Sequence, residues 1–396
     1  MLSVLVAVLT ITAVIVRPGN RHEWVYATAG AAVLAVAGLL GVGTIETVWQ
    51  RTGPVVVFLL AATFLGAAAD RAGVFDVLAG WLSRVSRGSA RRLLVAVVVL
   101  ALAVTSVLSL DATVVLLTPA VVALARRTGA PVLPLALAVV YVANTGSLLS
   151  PVANLTNLLV APRLGGAETF AATMLPVQIA ALVPLTVLLL IWHRQALRVP
   201  VAVAAPAPVP SRFAFGVAAG AILALVPVLV LTEGWRLAAA TSLVAVLAWA
   251  AGWRLPPDRP KARVPWRLGV FVMALFVVVD VAASGPLGAA AERTLADNGP
   301  VVAGLVGGLS ANLLNNLPAF LLLSPAATDG PQLLGLLVGV NVGPNLATIG
   351  SLATLLWLSI LRQHDLAPSP LTYLRWGLVV TPLTLLPALL VLAATT

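Results

Sequence analysis

The stretch NTGSLLSPVANLTN, from Asn144 to Asn157, lies in the middle of an uncharged run that extends from Thr128 to Pro162. That run is longer than the about 20 apolar residues with which one helix crosses a membrane. Proline removes a backbone donor, and glycine and asparagine favour open backbone, so the stretch is expected to interrupt a helix. In lipid, the freed backbone groups are tolerated only inside protein or beside a wet cavity. We therefore predict a broken helix whose break marks a transport site.

The second half of the chain repeats this pattern. Two further uncharged runs, Asn298–Thr328 and Gly330–Leu361, are also too long for one helix and carry Gly, Pro and Asn near their middles. In the latter, NVGPNLATIGSLATLL aligns without gaps to NTGSLLSPVANLTNLL. The alignment pairs Asn144 with Asn341, Gly146 with Gly343, Asn154 with Ser351, and Asn157 with Thr354. This internal repeat predicts a first transmembrane repeat at 1–193, a cytoplasmic linker at 194–212 and a second repeat at 213–396.

The composition places the whole chain in a membrane. Of its 396 residues, 23 are basic and 13 acidic, so charged residues make up 9% and hydrophobic residues 61%. A soluble domain carries about 25% charged residues. The basic residues stand in short clusters between apolar runs, which is typical of cytoplasmic loops. The net charge of +10 therefore indicates a polytopic membrane protein in a lipid bilayer and excludes a nucleic-acid-binding protein.

The apolar runs predict an all-α fold with roughly 10–12 hydrophobic segments. The runs that are long enough to cross a membrane as single helices are Trp24–Ile45, Thr52–Ala69, Leu93–Leu110, Phe213–Thr232, Leu237–Trp253, Leu268–Ala283 and Trp376–Thr396. The linker and the basic loops Arg84–Arg92 and Arg254–Arg267 are expected on the cytoplasmic side.

Several classes of chemistry lack the residues they need. The chain has no cysteine, which excludes disulfides, thiolate metal sites and cysteine nucleophiles. Its one lysine, Lys261, lies in a Pro/Arg-rich loop, and no Walker A sequence is present. No HExxH or GxSxG motif occurs either, so neither an enzyme nor a cofactor nor a metal site is predicted. The energy for transport must come from an ion gradient or from a separate subunit.

Three stretches resemble the arsenical pump membrane protein family, the arsenite exporters of an ion transporter superfamily that also holds dicarboxylate permeases. They are SLDATVVLLTP from Ser109, SPVANLTNLLVA from Ser150 and NVGPNLATIGSLATLLWL from Asn341. The resemblance covers nearly the whole chain. It implies two inverted repeats, a scaffold with a mobile transport part, and two re-entrant hairpins. The hairpin tips would be Ser109–Thr113 and Asn315–Pro318, and the broken-helix loops would be Asn144–Asn157 and Asn341–Thr354.

These tips and loops supply amides, hydroxyls and glycines, and the loops contain no Arg or Lys. A small neutral hydroxylated solute, such as arsenous or antimonous acid, needs both donors and acceptors, which Asn, Ser and Thr provide. The predicted substrate contacts are Ser109, Asp111, Thr113, Asn144, Thr145, Gly146, Ser147, Asn154, Thr156, Asn157, Asn315, Asn316, Asn341, Gly343, Asn345, Gly350, Ser351 and Thr354. A sodium- or proton-coupled dicarboxylate permease and a channel remain alternatives, as does a purely structural role in helix packing.

Two carboxylates are candidates for proton coupling. Asp111 is the only acid between Asp76 and Glu168, and it follows an apolar run. An intramembrane carboxylate is a functional hypothesis by default, although Asp111 could instead cap a helix. Asp280 is a second candidate that could also sit at the end of a span. Together these features predict a multi-pass protein of the bacterial inner membrane that exchanges arsenite or antimonite for protons. By resemblance, a homodimer and, in some relatives, a separate ATPase subunit are expected.

Overall fold

The computed structural model describes residues 2–16, 19, 21–203, 208–232, 234–255, 262–296, 298–327 and 330–396. Residues 204–207 of the predicted linker and Lys261 lie outside them. The described residues form α-helices, short 3-10 turns and no strand. The first nine helices are α1 (Leu2–Val16), α2 (Glu23–Val36), α3 (Val42–Arg71), α4 (Val74–Val85), α5 (Ala90–Val107), α6 (Leu110–Thr128), α7 (Val132–Thr145), α8 (Leu155–Val160) and α9 (Ala167–Trp192).

The next nine helices form the second half of the chain. They are α10 (Arg212–Leu231), α11 (Gly234–Ala251), α12 (Trp266–Ala283), α13 (Pro286–Leu295), α14 (Pro300–Leu314), α15 (Asn316–Leu323), α16 (Gly330–Val342), α17 (Leu352–Arg362) and α18 (Pro370–Thr395). Seven of the described helices have the length and composition to cross a membrane, and shorter apolar helices accompany them.

The packing of the two halves is reciprocal. Helix α3 packs against α11, and their counterparts α12 and α2 pack against each other in the same way. Helix α10 contacts α3, and their counterparts α1 and α12 contact each other likewise. Helix α9 packs against α18, which is its own counterpart. Such exchange of equivalent contacts is the property of a two-fold axis. The halves are therefore two structural repeats, whose predicted boundaries at 193 and 213 stay a prediction.

Hydrogen bonds across one face of the molecule show that the repeats are inverted. In the linker that follows α9, the amide of Val201 donates to the carbonyl of Gly88 (3.0 Å) and that of Ala202 to the carbonyl of Thr128 (2.9 Å). Arg126 donates from Nη2 to the carbonyl of His364, between α17 and α18 (3.2 Å). Helix α9 thus ends at the face where its counterpart α18 begins. The predicted fold class, an all-α polytopic protein with inverted repeats, is confirmed.

The same hydrogen bonds also define the two hairpins. Because Gly88 and Thr128 both contact the linker, α5 and α6 start and end at one face and meet at Ser109. The predicted apolar run Leu93–Leu110 corresponds to α5, which has the length and composition to cross a membrane and forms one arm of this hairpin. The prediction of Trp24–Ile45 as one crossing span was wrong. Helix α2 ends at Val36, and Gly38 then turns the chain at a φ of 71°, which hydropathy alone did not reveal.

Arginines concentrate on the face that these contacts define, which we call the arginine-rich face. It holds the ends of α6, α9 and α17 and the starts of α5, α7, α10 and α18, with their flanking basic residues Arg87, Arg92, Arg126, Arg127, Arg194, Arg198, Arg212 and Arg362. The opposite face includes the start of α9 with Glu168. The positive-inside rule predicts that the arginine-rich face is cytoplasmic.

Glycines allow α14 and α16 to approach at backbone contact, as small residues do in membrane helices. A Cβ at Gly339 would overlap the carbonyl oxygen of Gly304. We expect Gly339→Ala to lower the free energy of unfolding by about 1–3 kcal/mol, because the overlap with backbone forces the helices apart. Gly216→Ala is the matched control, since nothing lies within 4 Å of its Cβ position. Thermal unfolding in detergent measures both; equal melting temperatures for the two variants would contradict this packing.

Candidate functional site

Both predicted helix breaks are present at the expected positions. Helix α7 ends at Thr145 and is followed by two 3-10 turns, the second of which begins at Pro151, before α8. Helix α16 ends at Val342, and a 3-10 turn spans Gly343–Asn345 before α17. The side chain of Asn154 caps α8, and its aligned partner Ser351 caps α17. The sequence repeat therefore corresponds to two equivalent broken helices whose breaks lie inside the protein.

A buried cluster around Asn144 joins the first break to the second repeat. Asn144 donates from Nδ2 to Oδ1 of Asn345 (3.0 Å) and to Oγ1 of Thr354 (3.2 Å). Its Oδ1 accepts a hydrogen bond from the hydroxyl of Ser351 (3.0 Å). Asn345 in turn donates to Oγ1 of Thr145 (2.7 Å). We call these five residues the Asn144 cluster.

A second buried cluster forms around Asn341. Its Oδ1 accepts from Nδ2 of Asn154 (2.7 Å) and from the hydroxyl of Thr156 (3.0 Å). Its Nδ2 donates to Oδ1 of Asn157 (2.7 Å). Asn157 then donates to the backbone carbonyls of Ser147 (2.6 Å) and Ser150 (2.9 Å). Asn341, Asn154, Thr156 and Asn157 make up the Asn341 cluster.

The two clusters are related by the repeat. Asn341 binds Asn154 and Asn157. Asn144 binds the residues that align with these two, Ser351 and Thr354. Each central asparagine therefore contacts the opposite repeat, and the clusters together link the two repeats at their breaks. Every side chain in both clusters is at most 4% exposed, and all are uncharged. Thr145 and Asn345 belong to the Asn144 cluster alone, because the repeat places Val342 and Leu148 at the equivalent positions.

The second hairpin tip is bonded firmly to the second break. Asn315 takes an unusual positive φ of 77° and donates from Nδ2 to the carbonyl of Ile349 (3.2 Å). The backbone amide of Asn316 donates to the carbonyl of Gly350 (2.9 Å). Asn312, which sequence reasoning missed, donates to Gly308 and Gly343 carbonyls (both 2.8 Å) and accepts from the Ala347 amide (3.0 Å). The sequence offered one indication of this role, because Asn312 lies only three residues before the predicted hairpin tip at Asn315.

The first hairpin tip is bonded within itself. The hydroxyl of Ser109 caps α6 by accepting from the Ala112 amide (3.1 Å). Thr113 donates to the carbonyl of Ser109 (2.8 Å) and shares a hydrogen bond with Thr105 across the hairpin (2.9 Å). Asp111 lies in the first turn of α6. Its Oδ1 is buried and has no hydrogen-bond partner within the described part of the chain. The tip thus holds a buried carboxylate oxygen that its own fold leaves unsatisfied.

The remaining predicted residues divide between packing and a separate cavity. The hydroxyl of Ser147 donates to the carbonyl of Asn144 (2.7 Å). A Cβ at Gly350 would lie 2.7 Å from Cα of Pro344, and a Cβ at Gly146 would lie 3.1 Å from Cδ1 of Leu102. Gly343 packs equally closely against Gly308. Close packing therefore explains all three glycines. Asp280 lies apart from both clusters and lines a cavity of about 400 Å³.

An aromatic group beside the Asn144 cluster was not foreseen. Trp357 donates from Nε1 to the carbonyl of Ala136 (2.8 Å), which ties α17 to α7. The ring of Tyr373 lies 5.9 Å from that of Trp357 and 5.7 Å from that of Tyr141, centroid to centroid. All three side chains are buried. The aligned positions in the other repeat hold Val160 for Trp357 and Val338 for Tyr141, so this group makes the two halves of the site unequal.

Comparison with known proteins identifies the family. The family model described as citrate transporter matches residues 5–361. The chain belongs to the citrate transporter family. Within it, the chain is similar to the arsenical pump membrane protein of Escherichia coli strain K12, with 29% identity over 417 residues that cover 98% of this chain and 96% of that protein. The arsenical pump membrane protein of Yersinia enterocolitica is 29% identical over 421 residues, with the same coverage of each chain.

A solved structure shares the fold of this citrate transporter family member. The crystal structure of the Alcanivorax borkumensis YdaH transporter, described as having an unusual topology, matches with a TM-score of 0.50 and 19% identity. The match covers 89% of this chain and 87% of that chain. The predicted resemblance to arsenical pumps is confirmed by the relatives. Family and relatives point to a multi-pass membrane transporter of a small solute, not to an enzyme.

Proposed function

We propose that this protein is a secondary transporter that exports arsenite or antimonite, as the neutral trihydroxide, across the bacterial inner membrane in exchange for protons. The observation that carries the proposal is the chemistry of the two clusters where the repeats meet. They consist of buried amides and hydroxyls, and neither loop 144–157 nor loop 341–354 contains Arg, Lys or His. The names of the arsenical pump relatives agree with such a substrate.

Citrate, the solute in the family's description, suits these clusters poorly. A carboxylate that leaves water is normally paired with a cationic side chain, and bidentate arginine is the common solution. Burying a multiply charged anion among neutral groups would be expensive. The helix N-termini of α8 and α17 offer amide donors, but the capping side chains of Asn154 and Ser351 already bind there. A dicarboxylate or citrate permease is therefore the less favoured alternative.

A trihydroxide can exchange hydrogen bonds with the clusters at little net cost. Its hydroxyls donate and accept, as the asparagine, serine and threonine side chains do. When the solute enters, a hydrogen bond between the repeats can be replaced by a hydrogen bond to the solute. No buried polar group is then left without a partner, so the net change in free energy is small. Because the chain has no cysteine, arsenic would be held by hydrogen bonds alone, and release would require no thiolate bond to break.

Asp111 is the proposed site of proton coupling, with Asp280 as the second candidate. The membrane potential does not drive a neutral solute, because the solute carries no charge. Its transport must therefore be coupled to the proton gradient by a group that gains and loses a proton. Intramembrane carboxylates commonly serve that purpose, and the unsatisfied Oδ1 of Asp111 stands at the tip of the first hairpin. Exchange of this kind needs no ATPase subunit. We further propose alternating access of the mobile part against the scaffold, in a homodimer, by analogy with the superfamily.

Resistance of a sensitive host tests the identity of the substrate. We expect expression of the chain in an arsenite-sensitive bacterium to restore growth on arsenite and on antimonite, but not on arsenate, because arsenate is an anion. Growth on citrate as sole carbon source, in a host without citrate uptake, is the matched measurement for the alternative. Citrate-dependent growth without arsenite resistance would overturn the proposed substrate.

A further inference from the structure

A cavity beside the Asn341 cluster lies between two groups of helices. One wall comes from α3, α10, α11 and α12, and the other from the 3-10 turn Pro151–Ala153, α8 and α15. We call this space of about 400 Å³ the outer cavity. Its lining includes Phe58, Pro151, Leu158, Arg163, Asp280 and Ser324. It reaches Pro151 and Val152, which lie in the chain between Ser150, whose carbonyl accepts a hydrogen bond from Asn157, and Asn154 of the Asn341 cluster.

The position of the outer cavity relative to the charged faces follows from the helices that line it. Its lining includes Ala167 at the start of α9 and Thr232 beyond the end of α10. Helix α9 ends and α10 starts at the arginine-rich face. The outer cavity therefore lies toward the opposite face, which the positive-inside rule assigns to the outside of the cell.

The repeat supplies a counterpart of this cavity that is nearly closed. A space of only about 20 Å³ lies among α1, α2, α12, the second hairpin tip and α17. Four of these helices are the repeat equivalents of α10, α11, α3 and α8, which line the outer cavity. Leu355 in the small space aligns with Leu158 in the outer cavity. We call the small space the inner cavity. Two equivalent places in the fold therefore differ about 20-fold in volume.

We infer that the outer cavity is the open outward half of the transport path, that the inner cavity is its closed inward half, and that the structure is the outward-facing state. This inference rests on the proposed function, since only an alternating-access transporter needs two such halves. The outer cavity separates α3, α10, α11 and α12 from α8, which carries Thr156 and Asn157 of the Asn341 cluster, so a solute released from that cluster would enter it.

The lining of the outer cavity also suits an exit for a small neutral solute. Its walls are mainly apolar, with Phe58, Phe276 and Phe320 among them, and the charged side chains that line it within the described ranges are Arg163 and Asp280. An uncharged trihydroxide would find few hydrogen-bond partners there and would pass on to water. The strong contacts remain at the two clusters, where the solute is recognised.

The natural absence of cysteine allows a direct test, because a single engineered cysteine is the only thiol in the protein. Leu158→Cys and Leu355→Cys form a matched pair at equivalent positions. We would measure the rate at which a charged, membrane-impermeant methanethiosulfonate labels each variant in lipid nanodiscs, without arsenite. A minor conformation is typically populated at about 0.1–10%, so Leu158→Cys should react at least about tenfold faster than Leu355→Cys. In intact cells, external reagent should label Leu158→Cys.

Equal rates, faster labelling of Leu355→Cys, or labelling of Leu158→Cys only in inverted vesicles would each overturn the inference. Equal labelling of both variants after denaturation confirms that each thiol is present. Ser324→Cys, also in the outer cavity, replaces Leu158→Cys if that variant does not accumulate. The measurement uses no substrate, so a protein that fails to export arsenite could still show the asymmetry. Conversely, equal rates in an active exporter would overturn the outward-facing assignment alone.

Discussion

Asp111→Asn is expected to abolish proton-driven accumulation of arsenite in everted membrane vesicles, while the variant protein remains at wild-type abundance. Asparagine has the shape of aspartate but cannot exchange a proton at neutral pH. The hydrogen bonds of the first hairpin tip described above involve Ser109, Thr113 and Thr105, so the replacement leaves them in place. Because Oδ1 of Asp111 has no partner among the described residues, removing its charge also breaks no known contact of that atom.

Asp76→Asn is the control for this prediction. Asp76 is an exposed acid on α4, and its neutral variant should accumulate arsenite at the wild-type rate. Asp280→Asn in the same assay separates the two coupling candidates, because Asp280 lies in the outer cavity and not at a hairpin tip. Normal proton-driven accumulation by Asp111→Asn would remove Asp111 from the coupling mechanism.

Asn341→Ala is expected to destabilise the protein strongly. The change removes the acceptor of Asn154 and Thr156 and the donor to Asn157, all in a buried cluster. Each buried polar group that loses its partner costs about 1–3 kcal/mol. We therefore expect the melting temperature in detergent to fall by about 5–10 °C, using the scaling for large domains.

The repeat predicts a comparable loss for Asn144→Ala, since Asn144 is the equivalent centre of the other cluster. Asn298→Ala is the matched control, because Asn298 is half-buried and its two hydrogen bonds to backbone carbonyls are exposed. Its melting temperature should stay close to that of the wild type. A wild-type melting temperature for either Asn144→Ala or Asn341→Ala would contradict a role of the clusters in joining the repeats.

The sequence was sufficient to predict the breaks, whereas the hairpin tips were predicted from the resemblance to the arsenical pump family. Pro151 and the glycines at 146 and 343 change local backbone preference, and such local effects are visible in one dimension. The alignment of Asn144 with Asn341 likewise identified the centres of both clusters. Hydropathy did not locate the ends or the type of a helix where the local composition was uniformly apolar. It merged α2 with the start of α3 across Gly38, and it did not distinguish a hairpin arm such as α5 from a helix that crosses the membrane alone, because both have the same composition.

The partners within the clusters could not be predicted, because they depend on the way the repeats meet. Asn144 and Thr354 are far apart in the chain, yet their side chains lie 3.2 Å apart. Nothing in the local sequence distinguishes an asparagine that binds the opposite repeat from one that faces a cavity. The aromatic group of Tyr141, Trp357 and Tyr373 was missed for the same reason, since its members come from three separate helices.

Transport by the purified protein tests the central claim most directly. The protein would be reconstituted in liposomes with a pH gradient, acidic inside, and without ATP, and the arsenite concentration in the lumen would be followed. The proposed exchange predicts that arsenite accumulates inside above its external concentration and that a protonophore abolishes this accumulation. Equilibration of arsenite without accumulation would instead indicate a channel. Movement of citrate but not of arsenite would contradict a neutral hydroxylated substrate.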